Sequence, residues 1–240
     1  MALMKRMNQG HAIGVGLEDF GDSMKKPIIA PSLFGARSSN YGQAIADVEQ
    51  AGAQYLHIDI MDGHFVPNLS FGPNIVAGVR DLSSLYFDVH LMIENPERYA
   101  LSFIQAGADC ITIHGEARGD IDAVIQICNE NGAGFGLALK PMTALDEFKQ
   151  YYTRCKILLI MSIEPGFGGL KFMPDAIERI AQARQIREET GAEFKISVDG
   201  GINPATASLC VSAGVDILVA GSAVFNSDDP AKVISQLMGV

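Results

Sequence analysis

The chain has 240 residues, of which 48% are hydrophobic, and its formal net charge is −10 at pH 7. This length fits one large domain or two small ones, and α/β barrels reach it as a single domain. The acidic balance argues against nucleic acid or an anionic membrane as the main partner. A small anionic substrate remains compatible with it, because a local group of backbone amides binds phosphate whatever the global charge.

The cysteines lie far apart, which is typical of free thiols in a reducing compartment and predicts a cytoplasmic protein. They are Cys110, Cys128, Cys155 and Cys210. No apolar run reaches the length of a membrane span or of a signal-peptide core, so we expect no membrane association. We expect residues 1–25 to form a loosely ordered N-terminal extension and residues 26–240 to form one catalytic domain.

Strand and helix patterns alternate eight times along the chain. The predicted strands cover residues 27–32, 55–61, 86–92, 109–114, 134–139, 156–161, 193–198 and 215–220. The predicted helices cover residues 40–52, 72–82, 95–107, 120–131, 143–152, 174–190, 203–214 and 230–238. This alternation predicts parallel strands with crossover helices, and eight such units fit a closed (β/α)₈ barrel. The competing open sheet usually has a glycine-rich dinucleotide turn after its first strand, which residues 31–36 do not provide.

Histidine and aspartate residues occupy the ends of three predicted strands. His57 and Asp59 share one face of strand two, because alternate strand residues point the same way. His90 stands at the matching end of strand three, and Asp199 ends strand seven. These strand ends surround the active site of a barrel. The four side chains predict a metal site suited to Zn²⁺, and also to Fe²⁺, Mn²⁺ or Co²⁺. Asp88 either orients one of the imidazoles or forms a structural salt bridge.

Glycine-rich turns follow strands six, seven and eight. They are Gly166-Phe167-Gly168-Gly169, Gly200-Gly201 and Gly221-Ser222. Glycine lets backbone N–H groups approach an anion, and barrels commonly bind phosphate near strands seven and eight. A single glycine pair would be weak evidence because turns need glycine anyway, but three successive turns on one side predict a phosphate site.

Asp59 and Asp199 come from well-separated strands, so in a barrel they can flank a substrate. Two carboxylates on opposite faces of a carbon can remove a proton from one side and return a proton to the other. A cation on the adjacent oxygens would stabilise the enediolate formed between these steps.

Three methionines end inward-facing rows of strands two, three and six. They are Met61, Met92 and Met161. As core filler they need no further explanation. At the mouth of a site they could instead form a dry, adaptable cap over the reactive carbon. The sequence leaves both interpretations open.

Taken together, these stretches closely resemble the ribulose-phosphate 3-epimerase family. The matching segments run in family order: Ile-Ala-Pro-Ser at 29–32, His-Ile-Asp-Ile-Met-Asp-Gly-His-Phe-Val-Pro-Asn at 57–68, Asp-Val-His-Leu-Met at 88–92, Glu-Pro-Gly-Phe-Gly-Gly at 164–169, Val-Asp-Gly-Gly at 198–201 and Ala-Gly-Ser-Ala-Val-Phe at 220–225. The resemblance implies interconversion of ribulose 5-phosphate and xylulose 5-phosphate, with one divalent metal ion per subunit and a homo-oligomeric enzyme.

The resemblance also implies a role for each site residue. His57, Asp59, His90 and Asp199 would ligate the metal, and Asp59 and Asp199 would be the acid–base pair. Ser32 and His90 would contact substrate, the three glycine turns would hold its phosphate, and the methionines would cap the intermediate.

Four places depart from the usual family pattern but leave every proposed ligand and base intact. They are residues 33–37, Lys140 for Asn, Leu170 for Gln and Ser197 for Glu. The alternatives are an epimerase of a related ketose phosphate such as allulose 6-phosphate, a Schiff-base aldolase using Lys140, and a non-catalytic phosphosugar-binding barrel.

Overall fold

The computed structural model describes residues 26–239, which form a (β/α)₈ barrel. The eight strands are parallel and run in the spatial order β1-β8-β7-β6-β5-β4-β3-β2. Their bounds are β1 Ile28–Pro31, β2 Tyr55–Met61, β3 Tyr86–Met92, β4 Cys110–His114, β5 Gly134–Leu139, β6 Ile157–Met161, β7 Lys195–Asp199 and β8 Ile217–Ala220. The predicted fold class is confirmed, whereas the predicted extension over residues 1–25 lies outside the described residues.

The ring closes between the first two strands. The backbone N–H of Gln54 donates to the carbonyl oxygen of Ile29 at 3.2 Å, and Ser32 forms a parallel bridge with His57. On the other side of β1, Ile28 pairs with Ile217 of β8. The carboxyl ends of all eight strands therefore meet at one end of a single barrel.

Eight α-helices accompany the strands within the described residues. Their bounds are α1 Tyr41–Gln50, α2 Pro73–Arg80, α3 Ala100–Gln105, α4 Ile121–Glu130, α5 Ala176–Thr190, α6 Pro204–Ala213, α7 Ser222–Phe225 and α8 Pro230–Met238. Helix α6 begins where predicted because Asn203, just before Pro204, forms a capping box with Thr206 in the first turn. It ends at Gly214, whose positive φ of 106° suits glycine.

Two of the predicted helices differ in the structure. The segment Leu145–Arg154 is a 3₁₀ helix rather than the α-helix predicted over residues 143–152. Leu145, Phe148 and Tyr151 recur every third residue and pack on the core, which suits three residues per turn. The helix predicted over residues 95–107 is divided at Tyr99 into a 3₁₀ turn and α3.

Alternate residues of each strand face two separate cores. In β2, Ile58 and Ile60 belong to the large apolar cluster that also contains Ile45 and Val48 of α1. The inward residues of several other strands form a second, smaller apolar cluster inside the ring, which includes Leu159 of β6. On β2, β3 and β4, by contrast, some of the inward positions carry buried polar side chains, namely His57, Asp59, Asp88, His90, Thr112 and His114. This exception marks the site described next.

No helix within residues 26–239 has the length and apolar character needed to cross a membrane. The four cysteine thiols are buried and unpaired, as the scattered spacing predicts.

Candidate active site

Strand register places the predicted ligands beside one another. In the parallel pairing of β2 with β3, His57 lies opposite Asp88 and Asp59 lies opposite His90. The end of β7 brings Asp199 to the same end of the barrel, next to Met161 of β6. The sequence predicted that these strand ends converge, and they do.

The four predicted ligands form one compact cluster. Asp59 Oδ1 lies 3.3 Å from His57 Nε2 and 3.1 Å from His90 Nδ1, and the two imidazole nitrogens are 3.3 Å apart. One ligand atom from each of His57, Asp59, His90 and Asp199 lies within 4.8 Å of the others. Two imidazole nitrogens and two carboxylate oxygens at this spacing could hold a single divalent cation.

The two carboxyl groups have opposite pKa shifts. Burial alone would raise the pKa of Asp59, but the charge of His57 and the close contacts with both histidines outweigh it and hold the pKa well below its usual range. Loss of hydration raises the pKa of Asp199 to about 6, and the nearby charge of Asp59 adds to this rise. The cluster therefore contains one firmly ionised carboxylate and one that readily holds a proton.

Asp88 orients His57. Its Oδ2 lies 3.0 Å from His57 Nδ1, and its Oδ1 accepts a hydrogen bond from Thr112 Oγ1 at 2.5 Å. This leaves His57 Nε2 directed at the cluster, which is the usual arrangement for a metal-binding imidazole backed by a carboxylate. Burial alone would lower the pKa of His57, but the Asp59 and Asp88 carboxylates outweigh it and raise the pKa well above its usual value.

Two residues to which the sequence assigns no role, His114 at the end of strand four and Glu116 beyond it, lie behind His90. His90 Nε2 is 2.9 Å from His114 Nε2, and His114 Nδ1 is 3.2 Å from Glu116 Oε2. Burial lowers the pKa of His114 to about 4, despite the opposing hydrogen bond to Glu116. The signal was present in the sequence, since His114 ends strand four, but its neighbour in space could be identified only from the structure.

A cavity of about 310 Å³ opens directly above the cluster. Its walls contain both acidic residues, all three methionines and every predicted glycine turn. The predicted residues that line it are Ser32, Asp59, Met61, Met92, Met161, Gly166, Phe167, Gly168, Gly169, Asp199, Gly200, Gly201, Gly221 and Ser222. His57 and His90 are fully buried beneath this surface. The structure thus brings all the predicted site residues together at one end of the barrel.

The turn after β7 can be made only by glycine. Gly200 and Gly201 have φ values of 120° and 63°. A Cβ atom on Gly201 would lie 2.5 Å from the backbone nitrogen of Phe172, and one on Gly200 would lie 2.5 Å from the side chain of Ile163. The backbone therefore forms a close-packed wall of the cavity with no side chain in the way.

A further polar contact on the cavity wall joins the end of β1 to β2. Ser32 Oγ donates a hydrogen bond of 2.6 Å to Asp59 Oδ2. This bond fixes the second oxygen of Asp59 while its first oxygen faces the histidines. Lys140, the residue required by an aldolase, points elsewhere: its ammonium lies 4.1 Å from the centre of the Phe65 ring, and it does not line the cavity.

Comparison with solved structures supports the fold. Residues of this chain superimpose on 3-hexulose-6-phosphate synthase from Salmonella typhimurium with a TM-score of 0.64 at 18% identity, covering 90% of this chain and 97% of that one. The tryptophan synthase α-subunit from Pyrococcus furiosus gives a TM-score of 0.67 at 14% identity, with 90% and 98% coverage. At these identities the similarity concerns the barrel alone.

Comparison with known sequences identifies the family as well as the fold. The chain is 42% identical to ribulose-phosphate 3-epimerase from Bacillus subtilis over 212 residues, covering 88% of this chain and 98% of the relative. It is 41% identical to the Synechocystis enzyme of the same name over 213 residues, covering 88% and 93%. The model of the ribulose-phosphate 3 epimerase family matches residues 28–225. The chain therefore belongs to the ribulose-phosphate 3-epimerase family and is an enzyme of the epimerase class.

Proposed function

We propose that this enzyme interconverts ribulose 5-phosphate and xylulose 5-phosphate by moving a proton at C3. The observation that carries the proposal is the meeting of Asp59 and Asp199 with two histidines at the base of a cavity walled by glycine turns. The names of the relatives from Bacillus subtilis and Synechocystis support the same substrate.

We infer that His57, Asp59, His90 and Asp199 hold one divalent cation, with Zn²⁺ favoured and Fe²⁺, Mn²⁺ or Co²⁺ as alternatives. The donor set supports this, because two neutral imidazoles and two carboxylates suit these ions. A cation held there would act as a Lewis acid toward negative charge on the substrate oxygens.

In the proposed reaction the two aspartates work on opposite faces of the substrate. An ionised carboxylate takes the C3 proton, the electron pair of the broken C–H bond moves into an enediolate, and the other aspartate, as the carboxylic acid, delivers a proton to the opposite face of C3. Asp59 and Asp199 are suited to this exchange because they lie on β2 and β7, with β8 and β1 between them. Reversal simply exchanges their roles.

The remaining cavity residues would position the substrate. The glycine turns, with Ser222, offer backbone N–H groups to a phosphate. Ser32 and His90 would contact the sugar end, and Ser32 already orients Asp59. Met61, Met92 and Met161 are each at most 5% exposed on the cavity wall, so they would keep water from the enediolate.

Hydrogen exchange in D₂O tests the reaction and the substrate together. Ribulose 5-phosphate and allulose 6-phosphate are each incubated with the enzyme, and the C3 proton signal and the epimer are followed by proton NMR. We expect exchange and xylulose 5-phosphate formation with the first substrate at the higher rate. Faster reaction of allulose 6-phosphate would favour the related epimerase, and binding without exchange at C3 of either sugar would exclude both.

The proposal extends to the whole protein. It includes a catalytic domain over residues 26–240, a homo-oligomer and a cytoplasmic location. A chain beginning at Lys26 should retain full activity, and light scattering during gel filtration should give a mass at least twice the 25.7 kDa of one chain.

A further inference from the structure

His90 is connected to the carboxylate of Glu116 through a second histidine, His114, by two successive side-chain contacts. His90 Nε2 lies 2.9 Å from His114 Nε2, and His114 Nδ1 lies 3.2 Å from Glu116 Oε2. The other oxygen of Glu116, Oε1, accepts a hydrogen bond of 2.8 Å from the backbone N–H of Lys140. Both imidazole rings are fully buried, so water does not supply alternative partners.

The positions of the hydrogens follow from the order of these contacts. A carboxylate only accepts hydrogen bonds, so His114 Nδ1 carries a hydrogen directed at Glu116. A neutral His114 then has a lone pair on Nε2, and His90 must donate to it from its own Nε2. A neutral His90 is left with its lone pair on Nδ1, the nitrogen that lies 3.1 Å from Asp59 in the cluster.

We propose that Glu116 and His114 are positioning residues. They act through the chain of contacts Glu116–His114–His90, here called the relay, to present the Nδ1 lone pair of His90 to the metal. The proposal rests on the metal-dependent function proposed above. Each histidine of the cluster is then oriented by a carboxylate. Asp88 orients His57 directly, and Glu116 orients His90 through His114. Residues behind a metal ligand typically change metal affinity about 10–100-fold when they are altered.

Glu116→Gln is a sharp test because it would exchange the hydrogen-bond donor and acceptor at each contact of the relay. The Lys140 N–H donor cannot change, so the glutamine oxygen should face it and the glutamine NH₂ should face His114. His114 would then accept at Nδ1 and carry its hydrogen on Nε2. His90 would become the acceptor at Nε2 and would turn an N–H, instead of a lone pair, toward the cluster.

The first measurement is Zn²⁺ affinity by competition with a chromogenic chelator. We expect Glu116→Gln to weaken binding about 10–100-fold. Glu116→Asp, which keeps an acceptor-only carboxylate, should retain more of the affinity. Glu94→Gln is the matched control, because Glu94 lies on a neighbouring loop with similar side-chain exposure (28% against 19%) and makes the same charge change without joining the relay.

The second measurement is the tautomer of each histidine, read from long-range ¹H–¹⁵N correlation spectra of ¹⁵N-histidine-labelled enzyme. We expect the Nδ1–H form of His114 and the Nε2–H form of His90 in the zinc-loaded wild type, and the Nε2–H form of His114 in Glu116→Gln.

Two outcomes would overturn the relay: an Nε2–H or doubly protonated His114 in the wild type, or equal zinc affinity in Glu116→Gln and Glu94→Gln. Equal losses in Glu116→Gln and Glu116→Asp would also overturn it, since they would indicate a packing role. Failure of the wild type itself to bind Zn²⁺ would instead contradict the proposed metal site, so the two failures are distinguishable.

Discussion

At the scale of single residues, the site places two carboxyl groups of opposite character on a common cavity. Asp59 is held ionised by the histidines, whereas Asp199 keeps a pKa of about 6 because it is poorly hydrated and faces the charge of Asp59. In the proposed mechanism each aspartate transfers a proton, so neither can be replaced by its amide without losing that role.

We expect Asp59→Asn and Asp199→Asn each to lower kcat by about 10²–10⁴-fold, the usual contribution of a general acid or base. The amide is nearly isosteric, so the fold should persist, as checked by circular dichroism. Asp81→Asn, an exposed carboxylate at the end of α2, serves as the control and should keep wild-type kcat. Either active-site variant turning over at the control rate would remove that residue from the proposed mechanism.

Metal uptake should release protons. In the metal-free protein the pKa of His57 is raised well above its usual value, so the ring is protonated at pH 7, and a metal at Nε2 must displace that proton. Below about pH 6 Asp199 also becomes protonated, so more protons are released and zinc binding weakens further as the pH falls.

Calorimetric titration of the metal-free enzyme with Zn²⁺ measures this release. At each pH the titration is repeated in two buffers of different ionisation enthalpy, and the difference in observed heat gives the number of protons. Identical heats in both buffers at pH 7 would contradict a protonated His57.

At the scale of elements, the turn after β7 shapes the predicted phosphate site through backbone alone. Gly201 has a φ of 63°, and an added Cβ would lie 2.5 Å from Phe172 N and 2.9 Å from Phe172 Cα. Backbone atoms cannot move aside as a flexible side chain can. A substitution there must therefore shift the turn and, with it, the backbone that lines the cavity.

We expect Gly201→Ala to raise the KM for the sugar phosphate and to lower the free energy of unfolding. Gly132→Ala is the matched control: its φ is 71°, nothing lies within 4 Å of an added Cβ, and it lies just before β5 at the opposite end of the barrel. The control should show only the cost of the left-handed backbone, about 1–2 kcal/mol. Urea unfolding and steady-state kinetics compare the two, and an equal loss of stability with unchanged KM would refute the argument.

The elements also show what periodicity can and cannot predict. The inward face of β2 was predictable because His57 and Asp59 are two residues apart in a strand, whichever partners that strand has. The short helix α7 was not predicted, since its four residues form little more than one helical turn, which is too short to show a repeating pattern. The segment Leu145–Arg154 has apolar residues three apart, as at Leu145 and Phe148, a spacing that fits both an α-helix and a 3₁₀ helix, so the sequence does not distinguish the two.

The relay behind His90 shows a different limit. His114 is at a strand end like the other site residues, but its contact with His90 depends on side-chain directions on β3 and β4, and Glu116 lies beyond the strand in a loop. Metal-ligand chemistry suggested which residue types to seek at the cavity. It did not indicate which polar residues support them from behind, because many acceptors would serve equally well.

At the scale of the whole molecule, the site depends on the closed ring. Its four predicted ligands come from β2, β3 and β7, which the chain brings together only when the barrel is complete. An unfolded chain has no such arrangement, so metal bound by the native protein stabilises it against unfolding. The stability of the protein against unfolding therefore reports on metal binding at the site, and it can be measured without substrate.

We expect removal of the metal by a chelator to lower the Tm, and added Zn²⁺ to restore it. Zinc at a hundred times its Kd contributes about 2.7 kcal/mol, which for a domain of this size is about 5–10 °C in Tm. Differential scanning fluorimetry over a zinc series measures the shift. Asp199→Asn loses one ligand on β7 and should show a smaller shift over the same series. A wild-type Tm that does not respond to zinc, or an equal response in the variant, would contradict a cation held jointly by these strands.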